Sequence, residues 1–247
     1  MKMMTMKMMT MKTMTRKTIG KQLGVFGLVM CAPLMALAQG ADEAPANAFD
    51  KAPGLPDTMY WSVQGGVNAM SRWPAVVDFG GPTVPAGLKI GRGVEFGVAV
   101  GKQYTKARYE LEYQHGQMNI DEVTVAALTE KVDVALKYDA LTVNAHRSET
   151  VSDNLTAFAG VGVGIGRVAL PDAGLRSGCK CVSAASKSSL VYQVRVGMEY
   201  RLSETGFAFA QLGYLSLPGA TSSGAASVTY ERRAVAMLSV GYRGHFN

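Results

Sequence analysis

Nine charged residues have a spacing that could place them together. Arg108, Glu110 and Glu112 are two apart, as are Glu199 and Arg201, with Arg195 four residues before Glu199. Glu95, Arg233 and Arg243 stand in similar alternating runs. On a strand, residues two apart share a face. The set therefore predicts carboxylates and guanidiniums facing one another in an enclosed space, as an ion network. The other chemistries that the sequence could support are weaker. Gly160, Gly162, Gly164 and Gly166 have period two, not the spacing that turns a strand into a phosphate-binding helix. Gly101-Lys102-Gln103 lacks both the first glycine and the hydroxyl of a P-loop. His115, His146 and His245 fall on three different strands, so no metal ligand set is read, and no cofactor is expected. His146-Arg147-Ser148 is the one close His–Ser pair, and it falls beside a short turn. The expectation is that the protein is not an enzyme. Cys179 and Cys181 flank one lysine. A local bridge, an intermolecular bridge and free thiols all remain open readings.

The elements that carry these residues read with period two. Eight segments alternate apolar and polar residues, starting near residues 61, 94, 109, 141, 157, 192, 208 and 233. Each runs about ten residues, enough at roughly 3.3 Å per residue and a tilt of about 40° to cross a band of about 25 Å. Globular strands are nearer five or six residues. The odd-numbered connections are long and the even-numbered ones short, the pattern of barrels with long outer loops and short periplasmic turns. Aromatic residues (Tyr60, Trp61, Tyr104, Tyr109, Tyr113, Tyr192, Tyr200, Tyr214, Tyr242) fall mainly near strand ends, as interfacial girdles do. The fold expected is all-β, an eight-stranded antiparallel up-and-down transmembrane β-barrel over residues 58–247.

The remaining residues read as an address. Residues 1–38 hold six basic residues and no acid, and ten of the 15 methionines. Residues 23–38 form an uncharged, largely apolar run of sixteen that ends in Ala36-Leu37-Ala38 before Gln39. Basic region, short apolar core and small-residue site make a signal peptide, cleaved between Ala38 and Gln39. Residues 39–57 read as a flexible periplasmic leader. The formal net charge of +6 lies entirely in residues 1–38, and the rest holds 19 basic against 19 acidic residues. Nucleic-acid binding thus has no support in the composition.

Four motifs carry a resemblance: Arg108-Tyr109-Glu110-Leu111-Glu112-Tyr113, Phe158-Ala159-Gly160-Val161-Gly162-Val163-Gly164, Gly197-Met198-Glu199-Tyr200-Arg201-Leu202 and Val240-Gly241-Tyr242-Arg243-Gly244-His245-Phe246. In order and spacing, the chain resembles the eight-stranded OmpA-like and opacity-type outer-membrane barrels, a porin-like surface-antigen group. The resemblance implies a cell outer-membrane location among lipid and lipopolysaccharide. It also implies recognition of the last strand by the barrel assembly machinery through Tyr242 and Phe246. Asn247 after Phe246 departs from the family's terminal aromatic. Function is expected in the outer loops, because loops on a rigid scaffold carry recognition. The first loop (71–92, with Trp73 and Phe79) and the third (171–189, with Cys179 and Cys181) are the candidates. The role expected is envelope-structural and surface-interacting, adhesin-like, toward a host or environmental ligand. The alternatives are a small porin-like channel and, behind it, a lipid A-modifying enzyme. Eight strands leave little lumen beyond side chains, which favours a salt-bridged plug over a pore.

Overall fold

A computed structural model describes residues 58–172, 184–222 and 226–246. The expected signal peptide, its cleavage pair Ala38 and Gln39, the leader, and Cys179 and Cys181 lie outside these residues. Eleven strands are formed among the described residues: β1 (Thr58–Ala69), β2 (Trp73–Asp78), β3 (Thr83–Gln103), β4 (Ala107–Val125), β5 (Leu128–Ser152), β6 (Leu155–Leu170), β7 (Ala185–Arg201), β8 (Gly206–Leu217), β9 (Thr221–Ser222), β10 (Ser227–Tyr230) and β11 (Arg233–His245).

Eight of these close a ring. β3 to β8 pair in sequence through β4, β5, β6 and β7; β8 pairs with β11, β11 with β1, and β1 with β3, all antiparallel. The ring strands are those expected from the alternation. Closure removes every edge, which a barrel in lipid requires because no water is there to satisfy unpaired backbone groups.

On the outer surface of the ring, large apolar residues of successive strands form a belt. Val94 is 64% exposed, Val161 62% and Ile165 66%, with Phe96, Leu141, Val143, Leu212, Leu238 and Val240 beside them. A continuous belt of this kind far exceeds the patches that soluble proteins expose. It is the surface that meets lipid. Trp61 packs on Tyr242 at 5.6 Å and Tyr104 on Tyr109 at 5.9 Å near the short-turn end. Tyr60 departs from the expected girdle. It is fully buried, because its position in β1 faces the lumen.

The outer connections also depart from the expectation of loops. Most of residues 71–92 is β2 and the upper part of β3, joined by a hairpin whose tip holds Phe79 and Gly80. Gly80 has φ +83°, where a side chain is disfavoured, and its amide donates to Asp78 Oδ1 at 2.8 Å. The connection expected between residues 115 and 140 is strand on both sides, turning at Ala126 and Ala127. The 25 residues of β5 span roughly 80 Å of chain at about 3.3 Å per residue. Crossing the belt takes only about ten of them. The rest projects beyond it.

Polarity inverts where the strands leave the belt. On β5, Val132, Val134, Leu136 and Tyr138 turn inward while Lys131, Asp133, Lys137 and Asp139 turn outward. On β4, Met118 and Ile120 are buried between the exposed Asn119 and Asp121. Parity is unbroken through this stretch of β5; only the chemistry of the two faces is exchanged. The inward apolar side chains join Trp73, Leu88, Val123, Val168, Leu215, Leu217, Val228 and Tyr230 in one buried core. Water on the outside selects this arrangement as strongly as lipid selects the reverse below.

Candidate functional site

Within the belt, the lumen is filled by polar side chains that satisfy one another. Glu112 is the hub. Arg195 Nη1 lies 2.8 Å from its Oε1, and Gln64 donates to the same oxygen at 3.0 Å. Asn144 and Gln193 donate to its Oε2 at 2.9 and 3.0 Å. Glu110 accepts from the Tyr60 hydroxyl at 2.8 Å, from Asn144 at 3.1 Å and from His146 Nε2 at 3.0 Å. A carboxylate only accepts, so that contact sets the proton of His146 on Nε2. Glu199 is held between Arg108 and Arg243, the latter at 2.6 Å. Glu95 accepts from Gln114 and Ser239. Arg108 stacks on Phe158 at 4.5 Å, and Arg243 on Phe207 at 4.4 Å.

Seven of the nine expected charges thus meet inside: Glu95, Arg108, Glu110, Glu112, Arg195, Glu199 and Arg243 are all buried. Two do not join them. Arg201 is exposed near the short-turn rim, 5.8 Å from the Phe207 ring. Arg233 has the expected parity but lies above the belt, where it donates to Ser71 Oγ at 2.8 Å. The uncharged partners Tyr60, Gln64, Gln114, Asn144, Gln193 and Ser239 were not read as part of the site. Their signal was present, since all occupy inward positions of the alternation.

Glycines supply the room. A Cβ on Gly160 would meet the His146 ring, one on Gly162 the Asn144 amide, and one on Gly116 the Tyr138 ring. The side chains that fill the space left by the β6 glycines are thus His146 and Asn144. Arg195, which pairs with Gly160 across the ladder, reaches past it to Glu112.

The apolar core closes the outer end above this network. Trp73 belongs to that core. It is fully buried, packs edge-on against Tyr230 at 6.0 Å, and donates its indole N–H to the Glu231 carbonyl. It is therefore not a surface contact residue, contrary to expectation, because its place on β2 faces inward. Phe79, at the hairpin tip, is 56% exposed. Burial pushes the Tyr230 phenol up to about 12. At the other end, Tyr242 and Phe246 are both on the outer surface, and the Phe246 amide donates to the Met59 carbonyl at 3.0 Å. His115 faces out and pairs with Asp139 at 2.8 Å. His146 is committed to Glu110, and the nearby Ser148 hydroxyl makes no hydrogen bond to it.

No protein-family model matches the chain, and no curated relative matches it. Solved structures do. Neisserial surface protein A matches at 14% identity over 75% of this chain and 97% of its own, with a TM-score of 0.47. The Yersinia pestis attachment invasion locus protein Ail matches at 15% identity over 75% and 99%, with a TM-score of 0.34. The N-terminal β-barrel domain of Pseudomonas aeruginosa OprF matches at 15% identity over 76% and 98%, with a TM-score of 0.38. The closed ring and its inside-out polarity carry the fold. The chain is an eight-stranded antiparallel up-and-down β-barrel whose apolar belt faces lipid.

Proposed function

We propose that this barrel is a closed envelope scaffold that presents its outer β-extension for surface interaction, with an adhesin-like role toward a host or environmental ligand. The observation that supports this reading is the filling of the lumen at two levels. A buried ion network occupies the belt, and an apolar core lies above it. A pore needs a wet path, and a narrow barrel with both levels packed offers none. The long arms of β3, β4 and β5 then have one evident use, to hold the β2–β3 hairpin tip away from the lipid. Phe79 is the exposed aromatic at that tip, of the kind that anchors interfaces. In this reading Ala38 and Gln39 mark signal cleavage, Tyr242 and Phe246 engage the assembly machinery, and the outer rim sits among lipopolysaccharide.

The test is adhesion. The barrel is displayed on a non-adherent bacterium beside a variant carrying Phe79→Ser and a short Gly/Ser link in place of residues 173–183. Bound cells are counted on host cells and matrix at equal surface levels. Binding by the intact barrel alone is expected. Absence of binding by both, or equal binding by both, contradicts the proposal.

A further inference from the structure

On the side formed by β7, β8, β11 and β1, the outer surface is indented where the belt ends. The cleft has a volume of about 660 Å³. Ala69, Ala234 and Ala236 line it with small side chains, and Tyr192 and Tyr214 stand beside them. These five are outward positions of ring strands, continuous with the lipid-facing surface below. Two arginines complete the lining. Arg232 lies 5.8 Å from the Tyr192 ring and reaches Ser216 Oγ at 3.3 Å. Arg233 is held on Ser71 Oγ at 2.8 Å. Among the described residues, neither guanidinium pairs with a carboxylate. Every buried arginine of the lumen contacts a carboxylate or lies among several, so these two stand apart.

We propose that this cleft binds the phosphate of a phosphorylated glycolipid in the outer leaflet. Arg232 and Arg233 take the phosphate, and the tyrosines and alanines take the adjoining sugar and first acyl carbons. Three features lead to that ligand. Guanidiniums fit phosphate oxygens with several donors each. Tyrosines at the belt's edge suit a ligand half in water and half in lipid. The small outward residues of the lining belong to the same strand faces as the lipid-facing belt, a continuity that a free anion does not need. The proposal rests on the long connections facing outward. It does not depend on whether the extension binds a surface ligand.

Purified barrel in detergent is titrated with lipid A, with dephosphorylated lipid A and with inorganic phosphate, and complexes are counted by native mass spectrometry. Heat-modifiable migration on gels verifies folding of each variant. The wild type is expected to hold lipid A at least about tenfold more tightly than the dephosphorylated form, with no competition from equimolar phosphate. The R232Q/R233Q variant is expected to lose that preference, and R232K/R233K to keep most of it. Equal binding of both lipids, full competition by equimolar phosphate, or equal loss in the Gln and Lys variants overturns the proposal. Adhesion plays no part in the readout, so failure here and failure of the surface-interaction reading are distinguishable.

Discussion

At the scale of residues, the lumen depends on mutual satisfaction. Four carboxylates (Glu95, Glu110, Glu112, Glu199) face three guanidiniums (Arg108, Arg195, Arg243) and the His146 imidazole, all buried. Such a network adds little net stability over a well-packed apolar filling, but removing one partner leaves a buried charge unpaired. Glu112→Leu is therefore expected to destabilise the barrel by about 3–5 kcal/mol, and Arg195→Met by a similar amount. The double variant E112L/R195M is expected to recover much of that loss, because neither charge is then left alone. Urea unfolding in lipid vesicles checks this; losses in the double variant equal to the sum of the singles would show that the pair is not coupled. Most of the charged set was legible from spacing. Arg201 and Arg233 share its parity, but parity gives the face of a strand and not the height along it. Both lie beyond the level at which lipid forces charges inward.

At the scale of elements, the outer extension is a small water-facing β-structure grown on the barrel's own strands. Its core sets Trp73 and Tyr230 beside Leu136, Val168 and Leu217, and each of those aliphatic side chains contributes about 1.5–3 kcal/mol by burial. The Tyr230 phenol is raised from 10.0 to about 12 by burial. Its neutral form is favoured on folding, so the stability linked to it is fully present below pH 10 and declines as pH rises toward 12. Raising the pH through that window is expected to loosen the extension before the ring. Trp73 fluorescence is expected to shift red, while Trp61, on the outer surface by the short turns, does not follow. Single-tryptophan variants separate the two signals. A Trp73 signal unchanged up to pH 12 would contradict this role for Tyr230. The ring strands were readable because alternation and length agree. The extension was not read, although Val132, Val134 and Leu136 alternate with Lys131, Asp133 and Lys137 just as plainly. The two faces exchange chemistry there, so the same alternation marks an apolar interior instead of an apolar exterior. For the same reason Trp73 was expected at the surface.

At the scale of the whole molecule, one alternating pattern serves two solvents. Within the belt, lipid takes the apolar face and the lumen takes the charges, which would cost about 2–4 kcal/mol each if an arginine met lipid at the midplane. Above it, water takes the polar face and the interior becomes an ordinary core. The result is a barrel filled at two levels, by ion pairs and then by apolar packing, with its longest strands spent on projection. Single-channel recording of the purified barrel in planar bilayers tests this most directly. The wild-type protein is expected to give no conductance steps, and the E112L/R195M variant, whose lumen stays filled, none either. Steady ohmic steps from the folded wild-type barrel would contradict the closed lumen and return the protein to the pores.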